Sequence, residues 1–244
     1  MTSPDAAPDA ANAPARVPGF AGRMRWVAIL YFGQGYPFGV FREVWGVFFR
    51  TRGVSLTEIG MMELLGLPWV LKPLWAGLVD RFGDRRRWIA GGLLVLALCL
   101  ALHTTFPVSP DPGIYVWIVL FAFTMASATQ DIAIDAHTIA FLPRGEEGPA
   151  NGIRVSAYRA ATLVAGGPML SLAGILGWGP AWLVGAGLLV TLAGLALRAP
   201  AAELVASERR RFWAPFQRWL SRPGSLPTLA FVLLYKLGDQ AISP

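Results

Sequence analysis

Residues 126–138 read Ala126-Ser127-Ala128-Thr129-Gln130-Asp131-Ile132-Ala133-Ile134-Asp135-Ala136-His137-Thr138, inside an apolar run that begins at Ile114. Residues four apart share a helix face, so Asp131 and Asp135 lie one turn apart on a segment long enough to span a bilayer. A charge at that depth costs about 2.5–3.5 kcal/mol on insertion scales, unless it faces a partner or a water-filled cavity. Paired intramembrane carboxylates therefore point to a solute or proton path.

The composition agrees with a membrane setting. Hydrophobic residues fill 55% of the 244 positions and charged residues only 15%, against about 25% charged in soluble domains. Six apolar runs of roughly 20 residues or more stand at 24–49, 56–79, 88–106, 114–142, 150–176 and 180–197, and a seventh starts at Leu226. The expected fold class is an all-α membrane protein.

Arginine placement sets the expected orientation. The net charge of +6 is not gathered in one patch, which argues against a nucleic-acid partner. Arg16 and Arg23 precede the first run and Arg25 stands at its start, Arg81 and Arg85–Arg87 follow the second, and Arg144 follows the fourth. Arg198, Arg209–Arg211, Arg218 and Arg222 follow the sixth, while the loops after the third and fifth carry no Lys or Arg. This alternation places the N-terminus in the cytoplasm, with Arg50 and Arg52 running against it. Residues 1–22 lack the basic start and short apolar core of a secretory signal, and read as a disordered cytoplasmic tail. The lone Cys99 excludes an intrachain disulfide and reads as a packing residue. Arg209–Arg211 read either as a headgroup contact or as part of a solvated linker over 199–225.

Between the second and third runs stands Ala76-Gly77-Leu78-Val79-Asp80-Arg81-Phe82-Gly83-Asp84-Arg85-Arg86-Arg87. Small residues permit close helix approach, Asp80 can meet a helix N-terminus or an arginine, and Gly83 permits a tight turn. This stretch resembles the loop signature of the major facilitator superfamily, in which Gly77, Asp80, Arg81, Gly83, Arg85 and Arg86 form a gating motif. Asp84 departs from it, standing where the pattern has a base, and is expected to weaken the loop's charge clamp.

Several further segments resemble AmpG-type muropeptide permeases of that superfamily. They are Tyr31-Phe32 with Gly35-Tyr36-Pro37, then Gly53 to Gly60, Gly66 to Lys72, Ser127 to Ala136, Tyr158-Arg159, and Tyr235 to Asp239. The resemblance implies a secondary active transporter of the bacterial inner membrane, a proton symporter rather than an enzyme, importing muropeptides and needing no cofactor. Its implied partners are the lipid bilayer, a small polar solute and protons. It further implies a six-helix N-terminal half over 23–198 with a 3+3 inverted repeat. The family has at least twelve spans, so a chain ending within a seventh helix at 226–244 is expected to be truncated. It would then act with the missing C-terminal half, as a half-carrier that dimerises with a second copy, or not at all.

Depth counting at ~1.5 Å per residue pairs the buried charges. About the turn at 145–146, Asp131 falls level with Arg159, and Asp135 falls within a turn of Arg154. About the turn near Arg52, Arg42 falls level with Glu63, an expected structural ion pair. Lys236 and Asp239 share a face in the seventh run. Lys72 and Glu43 receive no opposite number. Asp131, Asp135, Arg154, Arg159, Lys236 and Asp239 are the expected proton-coupling network, because a carboxylate among arginines can switch protonation as its exposure changes.

Gln130, Lys72, Gln34 and Tyr36 are candidate solute contacts. An amide and a cation suit a solute with amide, hydroxyl and carboxylate groups, though Lys72 can also snorkel to the headgroups. Gly33, Gly35 and Pro37 are expected to break or kink the first helix at midplane depth. His103 and His137 read as lone interfacial histidines, with no metal site. The Asp131-x-x-x-Asp135 spacing also suits a membrane prenyltransferase holding magnesium, but no second acidic cluster accompanies it. No Gly-x-x-x-x-Gly-Lys-Ser/Thr loop occurs, which leaves a proton gradient as the expected energy source.

Overall fold

The computed structural model describes residues 18–81, 84–200, 218–228, 230–231 and 234, less the side chains of Leu78, Asp80 and Arg81. The expected roles of Asp80, Arg81, Gly83, Lys236 and Asp239, and of the Arg209–Arg211 run, lie outside the described residues. Residues 1–203 and 204–244 form two separate units. In the second, helical residues 218–220 and 225–228 flank a turn at Gly224, and Ser225 Oγ donates to the Leu220 carbonyl at 2.7 Å.

All regular structure in the described part of the first unit is helical. Helix α1 (Phe20–Gly39) runs through a π-helical turn (Val40–Val44) into α2 (Trp45–Arg50). The expected break at Gly33, Gly35 and Pro37 is not there: α1 continues through all three, and the irregular turn begins only after Gly39. Proline removes one helical hydrogen bond, and a neighbouring side chain can replace it; the replacement is described below.

The run at 56–79 is not one helix. It divides into α3 (Leu56–Met62), a 3₁₀ turn (Glu63–Gly66), α4 (Leu67–Leu71), a second 3₁₀ turn (Lys72–Leu74) and α5 (Ala76–Arg81). Ser55 and Glu58 start α3 with a reciprocal capping box, satisfying two otherwise orphaned donors. Pro68 and Pro73 each open a new piece, as expected of a residue without an N–H and with fixed φ.

The remaining elements are α6 (Arg85–Leu102), α7 (Gly113–Phe141), α8 (Glu147–Val164), a second π-helical turn (Ala165–Met169), α9 (Leu170–Leu176) and α10 (Trp178–Leu197). Among the described residues, four helical stretches are long and apolar enough to cross a membrane: Arg85–Thr105, Gly113–Phe141, Glu147–Leu176 and Trp178–Leu197. They match the third to sixth expected spans. Gly177, with φ of 87°, makes the reversal between α9 and α10, a backbone region open mainly to glycine.

Helix α6 packs between α7 and α10, while α8 packs chiefly on α1. Gly35 and Gly39 make the α1–α8 crossing possible. A Cβ on Gly35 would stand 2.6 Å from the Tyr158 carbonyl oxygen, and one on Gly39 would stand 2.8 Å from Thr162 Cα and Ala165 Cβ. Without a hydrophobic drive between helices in lipid, such close backbone approach is a main source of association.

An aromatic core fills the end of the bundle away from Arg23 and Arg85. Phe48, Phe106 and Trp182 surround His103, with ring centroids 4.4–6.0 Å from it. His103, at the end of α6, is fully buried among them, and its Nδ1 donates to the Cys99 carbonyl at 2.7 Å. His137 is also buried and stacks on Phe141.

At the basic end, Arg23 on α1 grips Glu146 in the α7–α8 turn, with Nε donating to Oε2 at 2.8 Å and Nη2 to Oε1. The guanidinium holds the Glu146 carboxyl below its ordinary range, first through these hydrogen bonds. A depressed folded pKa gives stability that is present above the unfolded value, about 4.3, and lost as pH falls through the folded one. The melting-temperature difference between the unaltered chain and Glu146→Gln is therefore expected to be constant from pH 7 to 5 and to shrink below about pH 4. A gap that persists at pH 3 contradicts this account of the clamp.

Asp84, expected to weaken a loop whose Asp80, Arg81 and Gly83 lie outside the described residues, stands at the start of α6. It caps α6, accepting from the Arg86 backbone N–H at 3.0 Å, and binds the Arg86 guanidinium at 2.6 and 2.9 Å. Arg86 Nη1 also donates to the Ala199 carbonyl and Arg85 Nη1 to that of Ala136, each at 3.2 Å. The acid that departs from the family pattern thus aims one base of the motif at the end of α10.

Candidate functional site

Helix α7, the most enclosed of the four candidate spans, carries a row of polar residues, whereas α8–α9 is the most open. Thr124, Ser127, Gln130, Asp131 and Thr138 are all buried along it. A polar group removed from water must be paired or it costs stability, so each partner is informative.

Asp131 is 4% exposed and its Oδ2 accepts from Lys72 Nζ at 2.7 Å. The depth count had set Asp131 against Arg159 and left Lys72 alone; both expectations are corrected. The count took α8 as the neighbour of α7, whereas α8 lies mainly against α1. Lys72 reaches Asp131 from the 3₁₀ turn that follows α4, which straightforward helix counting does not anticipate. Trp75, just beyond that turn, donates its indole N–H to Thr129 Oγ1 at 3.2 Å and fixes the segment to α7. Asp131 Oδ1, Gln34 Oε1, Ser127 Oγ and Gln130 Oε1 are buried without a hydrogen-bond partner among the described residues.

Asp135, one turn on, meets Arg154 as the count expected, at 3.3 Å between Oδ1 and Nη2. Tyr31 of α1 touches both: its hydroxyl donates to Asp135 Oδ1 at 2.7 Å, and the Arg154 guanidinium lies 4.7 Å from its ring centroid. Tyr31 was not among the expected site residues. Its position one turn before Gly35, on the face that meets α8, is the signal that could have found it. Arg159 is exposed and makes no ion pair with a described residue. Arg42 and Glu63 pair at 3.0 Å as expected, with both side chains more than one-third exposed.

Two candidate solute contacts are committed elsewhere. Pro37 has no N–H, so the Gly33 carbonyl four residues earlier loses its helical donor; Gln130 Nε2 donates to that carbonyl at 3.1 Å. Gln130 is fully buried and repairs α1 instead of facing an open cavity. Tyr36 is buried too, its hydroxyl donating to Met169 Sδ at 3.3 Å. Gln34 is buried close to Asp131, and Lys72 is a quarter exposed while bonded to Asp131.

The Gln130 repair predicts a coupled pair of substitutions. Gln130→Leu is expected to cost about 1–3 kcal/mol by stranding a buried carbonyl. In a Pro37→Ala background the restored N–H serves that carbonyl, and the same substitution is expected to cost clearly less. Equal costs in the two backgrounds, measured by unfolding in micelles, would show that Gln130 does not serve this role.

The family model for the Major Facilitator Superfamily matches residues 27–238. The chain is 32% identical to an uncharacterized protein of Haemophilus influenzae over 236 residues, covering 90% of this chain and 55% of that protein. It is 31% identical to the anhydromuropeptide permease of Escherichia coli K12 over 224 residues, covering 86% of this chain and 45% of the permease. The chain spans about half the length of the curated relatives it matches. With an all-helical fold of membrane-length helices and a match over most of its residues, the chain belongs to the major facilitator superfamily, a family of membrane transporters.

Proposed function

We propose that the chain supplies the first six-helix half of a secondary carrier that imports an anhydromuropeptide or a related polar solute together with protons. The observation that carries this reading is the buried Lys72–Asp131 pair. One carboxylate oxygen is held by the ammonium and the other accepts no hydrogen bond among the described residues, which suits a group that gains and loses a proton. The second pair, Asp135 with Arg154 and Tyr31, lies one turn away toward the basic end. The two pairs provide successive acceptors along α7.

The positive-inside pattern supports placing the basic end in the cytoplasm of a bacterial inner membrane. At that face Arg85 and Arg86 of the expected loop motif tie the start of α6 to α7 and to the end of α10. The relatives' names supply the solute class, and polar residues on α1, α7 and α8 supply groups able to bind it. The broad open face of α8 implies a covering partner, either a second half or another copy of this chain.

Uptake of labelled anhydromuropeptide into vesicles under an imposed proton gradient tests this. The chain is assayed alone and together with the second half of the Escherichia coli permease. Gradient-driven uptake that requires the second half supports the reading, and uptake by the chain alone assigns transport to paired copies. No uptake in either arrangement overturns it.

A further inference from the structure

Four described cations stand on the helical segments between the basic end and the opposite end marked by Arg50 and Arg52: Arg42, Lys72, Arg154 and Arg159. Three of them each hold one carboxylate, Glu63, Asp131 and Asp135 respectively. Arg159 holds none among the described residues. It lies twelve positions into α8 from Glu147, about 18 Å at 1.5 Å per residue, deeper than even its long side chain reaches toward the near headgroups. A guanidinium left exposed at that depth requires an anion or water.

The carboxylates leave one residue over in the same way. Glu43, on the first π-helical turn, is exposed and forms no ion pair with a described residue. Its stem rests on α8's continuation: a Cβ on Gly166 would stand 3.3 Å from both Cβ and Cγ of Glu43. Gly166 and Arg159 are seven residues apart, which puts them on one helix face about 10 Å apart along the axis. On that face Gly152 and Ser156 before Arg159 are small and exposed, and Thr162 and the exposed Leu163 lie between Arg159 and Gly166.

We infer that Glu43 and Arg159 form a two-point site for a zwitterionic solute, Arg159 taking a carboxylate and Glu43 an amine, with their anchoring positions on α8 about 10 Å apart along its axis. An extended peptide advances about 3.3–3.6 Å per residue, so a peptide moiety of about three residues fits this separation. Arg159 offers the planar fork that binds a carboxylate in bidentate fashion, and Glu43 accepts the ammonium protons. The site rests on the proposed import of a peptide-bearing solute and adds which two residues read its charges. It also removes Arg159 from the proton-coupling set, leaving that task to the paired acids on α7.

Binding to the purified chain in nanodiscs tests the site. The probes are an anhydromuropeptide whose peptide bears one free amine and a free terminal carboxylate, the same molecule amidated at the carboxylate, and the same molecule acetylated at the amine. Each block is expected to weaken binding about 10- to 100-fold, the equivalent of one lost charge-assisted hydrogen bond. In Arg159→Gln the amidation penalty is expected to vanish while the acetylation penalty remains; in Glu43→Gln the reverse is expected. Each variant serves as the folding control for the other. If either variant weakens all three probes equally, or if both penalties survive in both variants, the two-point site is wrong and solute import stands. If the unaltered chain binds none of the probes, the site and the proposed solute fall together.

Discussion

Replacing Lys72 with methionine is expected to destabilise the folded chain by about 3 kcal/mol or more, one of the two largest effects anticipated for a single substitution. The size follows from what remains: Asp131 is 6% exposed at its side chain, and breaking a buried pair strands a charge at a cost of about 3–5 kcal/mol. Asp131→Leu alone strands the ammonium instead and is expected to cost somewhat less, because Lys72 is a quarter exposed and can reach water. Removing both charges together, Lys72→Met with Asp131→Leu, is expected to restore most of the lost stability, since a desolvated pair and an apolar pair are often nearly equivalent. Unfolding of the four proteins in micelles gives the coupling energy directly. Additive losses would mean that the 2.7 Å contact does not exist in the folded chain.

The other large effect is expected at Gly35. A Cβ there would meet the Tyr158 carbonyl oxygen at 2.6 Å and Ala161 Cβ at 3.0 Å. Backbone cannot rotate out of the way as a side chain can, so Gly35→Ala is expected to push α1 from α8 at a cost of about 1–3 kcal/mol. Gly35→Leu is expected to prevent the crossing and abolish stable folding. Gly91 on α6 is the matched control, because a Cβ there meets nothing within 4 Å. Gly91→Ala is expected to leave stability unchanged or raise it by up to ~1 kcal/mol through helix propensity. Thermal unfolding of the three variants decides the matter. Equal responses at Gly35 and Gly91 would contradict the close crossing.

Much of this was legible in the chain. Apolar runs separated by polar breaks gave the helical membrane class, and four of them became single membrane-length stretches. The Arg42–Glu63 and Asp135–Arg154 pairs followed from counting residues about a turn, because each joins elements whose heights that count fixes. The same count failed for Asp131. Height says nothing about which helices are neighbours, and α1 rather than α7 is the main support of α8. Lys72 was missed for a second reason: prolines at 68 and 73 break its segment into short pieces, and that changes where its side chain points.

Gln130 shows a different limit. Its amide is spent on a carbonyl orphaned by Pro37, nearly a hundred residues earlier in the chain. A polar side chain deep in a membrane helix reads equally as a ligand contact or as a repair, and only the position of the other helix distinguishes them. Asp84 is a comparable case. Read along the sequence it opposes the neighbouring bases; in the fold it caps α6 and aligns Arg86.

The central claim is that solute movement through this half is tied to a proton at Asp131. It is tested most directly by recording internal pH in proteoliposomes when anhydromuropeptide is added outside without any imposed gradient. The proteoliposomes carry the chain with the second half of the Escherichia coli permease. The account predicts that solute entry acidifies the interior, and that the Lys72→Met, Asp131→Leu double variant, which retains its fold, produces no acidification. Solute entry that leaves internal pH unchanged in the unaltered protein, or acidification that survives in the double variant, would contradict it.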